Sequence, residues 1–300
     1  MKRLSPTVRG PWRRIHEEAD AFLNDFCLFR DQEGWWHAIG IRNDGRTGNG
    51  WVDEDRFFHA AGRSLDRSFE PQPPLFEGMP RWVGPGRSDN DRPAKHAPFV
   101  LRHDGLYHMF YRRPPGTCLV TRTDNAFDWP NEAELVFEEG DARDACILPL
   151  EGRFLMYHCQ AAKPPGEDGN VDCVMLRESD DLRSWSDGRV VFHSGKPSTH
   201  ARTESPFVLD RPEGFYLFYR DRTIVNACLT PVFFSTDPRA FPCGPAEPLK
   251  VLEDIHAPEI AVDADGQPWI ARVSGPRHAN PNAPRHGGWV EVAPLDFMPR

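Results

Sequence analysis

The chain has 300 residues, 39% hydrophobic and 27% charged, which suits one large globular domain or two small ones and excludes a disordered chain. Lys and Arg number 36 against 45 Asp and Glu, a net charge of −9, so neither a nucleic acid nor an anionic membrane is expected as partner. No apolar stretch is long enough to span a bilayer, and no apolar run follows the basic N-terminus, so no secretory signal is expected. The seven cysteines form no CxxC pair and lie mostly in apolar runs, as reduced core thiols do. The expectation is a cytoplasmic protein with no disulfide framework, no metal and no cofactor.

In chain order, residues 12–22 place apolar side chains at roughly helical spacing and predict a short N-terminal helix. Beyond them the apolar residues come in short runs rich in Phe, Val, Ile, Tyr and Trp, bounded by Gly, Asp and Pro, which is the pattern of strands. One unit recurs five times: a polar lead residue, an apolar run, a Gly-containing turn and an aromatic-rich run. The leads are Asp25, His96, Asp144, Glu204 and His256, and the turn glycines Gly34, Gly105, Gly152, Gly214 and Gly266 follow after 9, 9, 8, 10 and 10 residues. Such turns between β runs make hairpins. The third copy continues into CVMLRESDDLRSWSDGRVVF, two more strands around a Ser-Asp-Asp-Leu turn, and weaker versions follow copies one, two and four. With leads 71, 48, 60 and 52 residues apart, five four-stranded units fill the chain. The expected fold is all-β: a single five-bladed β-propeller domain over residues 1–300, with four-stranded antiparallel blades. An irregular β-sandwich would give no reason for five polar leads at one offset.

In a propeller the innermost strands all begin on one face of a central channel. Asp25, Asp144 and Glu204 would therefore meet there with His96 and His256. Carboxyls crowded in a poorly solvated site raise one another's pKa, which is the condition general acid–base catalysis uses. Glycoside hydrolysis asks for two carboxyls on opposite sides of a bond. The long polar loops 43–51, 78–95, 161–172, 194–203 and 274–288 would open on this face, carrying Trp51, Trp82, Arg87, Arg202, Arg277 and His278. His200, His278 and His286 read as solvated loop residues. Plainer roles exist for each lead. Asp25 could cap a turn, Glu204 could be a surface charge, and Asp144 could bridge Arg143, although adjacent strand residues face opposite ways. Glu259 would face away from the channel unless Pro258 bends the chain.

These residues resemble motifs of the five-bladed propeller glycosidases, glycoside hydrolase families 32, 43, 62 and 68. Asn24-Asp25-Phe26 is similar to the first-blade Asn-Asp-Pro motif, whose Asp is a nucleophile in fructosidases and a base in arabinosidases and xylosidases. Arg143-Asp144 resembles the fructosidase Arg-Asp-Pro motif, in which the Asp stabilises the transition state and the Arg grips sugar hydroxyls. Thr203-Glu204-Ser205-Pro206 resembles the general-acid motif, its trailing Pro closer to family 43, and His96-Ala97-Pro98 resembles the Trp-Ala-Pro segment of that family. The resemblance spans the whole chain as short motifs, with Phe26 and Ala145 departing from Pro. It implies catalysis by Asp25, Asp144 and Glu204, a grip on sugar hydroxyls by Arg143, and a small carbohydrate substrate; Asn24, His96, His256 and Glu259 are expected to contact the sugar from their places on the inner strands, the two histidines being core residues otherwise. Arg143-Asp144 points to retention; the two family 43-like motifs tilt the expectation to inversion. A non-catalytic glycan-binding propeller and a glycosyl transferase or phosphorylase using the same carboxyls stay open.

Overall fold

Each polar-led segment forms the innermost strand of its own sheet: Phe22–Arg30, His96–His103, Arg143–Leu150, Thr203–Arg211 and His256–Val262. The computed structural model describes residues 3–48, 52–84, 86, 88–89, 92–198, 202–222, 228–280, 283 and 286–299; Trp51, Arg87 and His200 lie outside them. A tight turn leads each inner strand into its antiparallel neighbour, Trp36–Asn43, Leu106–Arg113, Arg153–Ala162, Gly214–Asp221 or Pro268–Ser274. Blades one, three and four have four strands each, and blade two adds Arg81–Trp82, paired parallel to Glu132–Glu138. The five sheets make a five-bladed propeller. Among the described residues no helix is long and apolar enough to cross a membrane.

The aromatic-rich second strands are buried on both faces, because each blade packs between two others. Met109 and Tyr111 enter the core shared with blade one, while Phe110, one residue away, enters the core shared with blade three. Leu217 and Tyr219 point to blade three, Tyr216 and Phe218 to blade five. Five such cores, one per blade junction, hold the ring together. Period-2 alternation between two apolar faces explains why these strands read as continuous apolar runs.

The expected N-terminal helix is not formed. Leu4–Val8 and Arg13–Glu18 are strands, and both pair with the 12-residue last strand, Gly288–Pro299. Left alone, that strand would expose a long unpaired edge, so ladder hydrogen bonds there outweigh a weak helical propensity. The N-terminus thus completes blade five and ties the two chain ends together. Ile15, 1% exposed, plugs the core between blades five and one. Ile15→Ala is expected to lower stability by about 2–5 kcal/mol in urea unfolding; a loss under about 1 kcal/mol would mean this strand does not hold the ring. The one helix among the described residues is the single turn Pro276–Ala279.

Candidate active site

All five inner strands carry a one-residue bulge at the same place. The register slips between Asn24 and Phe26, His96 and Phe99, Arg143 and Cys146, Glu204 and Phe207, and His256 and Glu259. In four of them the residue after the slip begins is left-handed: Ala97 (φ 45°), Asp144 (φ 60°), Ser205 (φ 48°) and Ala257 (φ 51°). Such backbone costs of order 1–3 kcal/mol per residue, and strain of this kind gathers at functional sites. In blade one Gly40 stands opposite Phe26, where a Cβ would lie 2.4 Å from the Phe26 Cβ; only glycine admits this bulge.

The bulge suspends the alternation of side chains, so two successive residues can face the channel. Arg143 and Asp144, expected to point apart, both line the cavity, as do Asn24 and Asp25. That cavity has a volume of about 280 Å³, and its wall also takes in His96, Glu204, Glu54, Arg112, Arg222, Arg277 and Phe22. Six of the eight expected site residues therefore share it.

Two do not. His256 lies behind Asp25, its Nε2 accepting from Arg220 Nη1 at 3.2 Å and standing 3.7 Å from Asp25 Oδ1. The His278 ring, 4.3 Å away, packs against it. Burial, with Arg220 beside it, keeps His256 neutral. Glu259, beyond the bulge, is one step further down the channel, near Cys27 and Cys146; burial, reinforced by Asp25, pushes its pKa well up. Neither residue lines the cavity wall. His278, expected to be solvated, is partly buried: its Nε2 donates to the Leu23 carbonyl at 2.8 Å, and its ring packs on Phe22. Trp82 packs on the core between blades one and two instead of lining the cavity.

The three carboxyls differ in the charge around them. Ser205 links two of them: its N–H donates to Asp144 Oδ2 at 3.0 Å, and its hydroxyl lies a long 3.4 Å from Asp25 Oδ1. Burial, then the charge of Glu204, pushes Asp25 up to about 6, against the pull of Arg220 and His96. Burial, then Asp25, brings Asp144 to about 6 as well. Glu204 is the opposite case. Burial would raise it, but Arg220 Nη1 donates to Oε2 at 2.8 Å and Arg222 Nη1 to Oε1 at 2.5 Å, with Arg143 Nη1 3.7 Å from Oε1. These guanidiniums outweigh burial and bring Glu204 down to about 2. Two protonatable carboxyls thus face one that is held ionised.

Four contributors escape the sequence motifs: Glu54, Arg112, Arg220 and Arg222. Glu54 Oε2 sits 2.6 Å from His96 Nε2, and its Oε1 accepts from Asn43 Nδ2 at 3.2 Å, which anchors the loop after the second strand of blade one. Arg112 and Arg220 stand directly across the ladder from His96 and Glu204. A signal existed for them. Phe110-Tyr111-Arg112 and Phe218-Tyr219-Arg220 are one motif in two blades, the Tyr packing between blades and the Arg turned to the channel side. Among the described residues no group of His, Cys, Asp and Glu is arranged to hold a metal ion.

Solved structures share this fold. An exo-1,5-alpha-L-arabinanase from a bovine ruminal metagenomic library superposes with a TM-score of 0.62 at 14% identity, over 92% of this chain and 95% of that one. The chain has the fold of known glycosidases. The GH43_1 enzyme from Xanthomonas citri complexed with xylose gives a TM-score of 0.66 at 12% identity, over 95% of this chain and 90% of that one. A Bombyx mori GH32 beta-fructofuranosidase also gives 0.66 at 12% identity, over 98% of this chain and 66% of that longer one. No protein-family model and no curated protein matches the sequence. At these identities the likeness is one of fold, and the chemistry has to be argued from the cavity.

Proposed function

We propose that the protein is a glycoside hydrolase that cleaves a terminal furanose- or pentose-type sugar by paired-carboxylate catalysis. The observation that carries this reading is the convergence of Asp25, Asp144 and Glu204, from three separate blades, on one cavity. The names of the structurally similar enzymes, an arabinanase, a xylosidase and a fructofuranosidase, support the sugar class.

Asp25 takes a proton from water as the water oxygen bonds to the anomeric carbon. The bond from that carbon to the leaving oxygen breaks, and Glu204 gives its proton to that oxygen. Asp144, oriented by the Ser205 N–H, holds negative charge against the positive charge developing on the sugar ring. Asn24, His96 with Glu54, and Arg143 are placed to hold hydroxyls. The donor role makes a demand of its own: the guanidiniums on both oxygens oppose protonation of Glu204, and weakening one of these contacts makes it a better donor. We take the outcome to be inversion, following the two motifs with trailing prolines, Pro98 and Pro206.

The test is a panel of nitrophenyl arabinofuranoside, xyloside and galactofuranoside, plus sucrose, assayed with and without phosphate. Turnover of at least one is expected, with the first-formed product of inverted configuration by NMR. Tight sugar binding without turnover would make the protein a glycan-binding propeller. Phosphate-dependent release of a sugar 1-phosphate would make it a phosphorylase.

A further inference from the structure

A neutral sugar offers its wall hydroxyls and weakly apolar C–H faces, for which aromatic rings and uncharged hydrogen-bonding groups suffice. This wall is built otherwise. Among the described residues Phe22 is its sole carbocyclic ring, and four of the eleven lining residues are arginines, Arg112, Arg143, Arg222 and Arg277, set against four carboxyls, Asp25, Glu54, Asp144 and Glu204. Arg112 is buried, donates from both Nε and Nη2 to the Pro115 carbonyl, and makes no ion pair among the described residues. The charge of Asp144, in the same wall, offsets part of its burial. Arg222 places one nitrogen on Glu204, while its side chain is 47% exposed at the cavity. Arg277 reaches the same wall from the helical turn after blade five, with its guanidinium 6.0 Å over the Phe22 ring.

We propose that the sugar this cavity takes carries its own anion, a carboxylate or a phosphate, received by Arg222 and Arg277, and that this contact draws Arg222 off Glu204. The inference rests on the cavity being the sugar site proposed above. Its logic is an exchange of partners. With Arg220 and Arg222 on its two oxygens, Glu204 is held as a charged acceptor on both sides, and a proton on either oxygen would set it against a guanidinium. An uncharged sugar could free Oε1 only by leaving Arg222 without an anion. A charged sugar replaces one carboxylate by another anion on the same guanidinium, in the bidentate geometry that arginine favours. Glu204 keeps Arg220 on Oε2 and gains a free Oε1 facing the cavity. The chain as a whole carries −9 and the wall balances four arginines with four carboxyls, so attraction for an anion has to be local, at the guanidiniums of Arg222 and Arg277.

The test is calorimetry on the full chain with matched ligands: xylose against glucuronate, the same ring with a carboxylate added; ribose against ribose 5-phosphate; and inorganic phosphate alone. One charged member is expected to bind at least about ten-fold tighter than its neutral partner, the worth of one well-made charge-assisted contact. Which pair shows the gap tells carboxylate from phosphate. Arg222→Gln should shrink the advantage to less than about three-fold, and Arg222→Lys should keep part of it. Arg222→Gln also takes one partner from Glu204 and should melt a few degrees lower; binding of the neutral partner that stays unchanged in the variant makes the loss local. Equal binding of charged and neutral partners in both pairs overturns the proposal. So does inorganic phosphate binding as tightly as the charged sugar, since the anion alone would then be the ligand. Binding is read without turnover, so the outcomes separate. A charged preference with no hydrolysis leaves this inference standing and removes the hydrolase reading, whereas hydrolysis of neutral glycosides without a charged preference does the reverse.

Discussion

Asp25→Asn is expected to lower turnover by about 10²–10⁴-fold and, at the same time, to make the protein harder to melt. The loss follows from the proposed role, since an amide cannot take the proton that water must give up. The gain follows from where the carboxylate sits. Burial, with Glu204 nearby, lifts Asp25 from 3.8 to about 6, so the folded protein holds a proton that the unfolded chain has already released. Between pH 4 and 6 the folded state therefore binds more protons than the unfolded one, and stability falls as pH rises. Below about pH 4 the group is neutral in both states and the penalty is absent; above pH 6 it is fully present. A rise of about two pKa units corresponds to a penalty on the order of 3 kcal/mol, or about 5 °C in Tm for a chain of this size. Scanning calorimetry on both proteins at pH 4 and pH 8 checks it. A gain for the variant at pH 8 that vanishes at pH 4 is the expected result. A variant less stable than the parent at pH 8 would show that Asp25 is not the strained charge it is taken to be. Activity of the parent should also fall as pH drops through about 6, as Asp25 and Asp144 take up protons.

The propeller was legible in the sequence because its unit is local: a polar lead, an apolar run and a turn glycine fit within about a dozen residues, and five copies repeat the message. The frame inside the unit was harder to see. Asp25 and Asp144 occupy the bulge position, while His96, Glu204 and His256 stand just before it. Counted from Asn24 and Arg143 instead, the distances to the turn glycines become 10, 9, 9, 10 and 10, more even than before. The clue was the proline two residues after the lead in three copies, Pro98, Pro206 and Pro258, since a proline inside a strand marks a bulge or an edge. Missing it led to the expectation that Arg143 and Asp144 point apart. The arginines on Glu204 were hidden for another reason. They come from the second strand and the loop after it, and only the ladder partner of Glu204 identifies Arg220. The closing strands at the N-terminus had no local signal at all, because their partner lies at the far end of the chain.

Glu204→Gln is expected to lower turnover by about 10²–10⁴-fold on alkyl glycosides, and far less on dinitrophenyl glycosides, whose leaving oxygen needs little protonation. Equal losses on the two substrates would take the donor role away from Glu204. Its effect on stability should be opposite in sign to that of Asp25→Asn, in the same cavity. Arg220 and Arg222 each donate to one oxygen of Glu204, and a glutamine offers them one acceptor and one donor. One guanidinium is left facing an N–H, and Arg220, 17% exposed, has little water to turn to. Breaking such a contact costs about 2–4 kcal/mol, less than for a fully buried pair because Arg222 is half in solvent. The pH window is set by the shift itself. The arginines hold Glu204 at about 2 in the folded protein against 4.5 in the unfolded chain, so its contribution is complete above pH 4.5 and disappears as pH falls toward 2. The gap in unfolding free energy between parent and variant should therefore be widest at neutral pH and should close between pH 4.5 and 2. A gap that stays constant over that range would mean that glutamine disturbs packing and not charge. Two carboxyls lining one cavity would then differ in sign for the reason the geometry gives: one is buried against other acids, the other is buried among arginines.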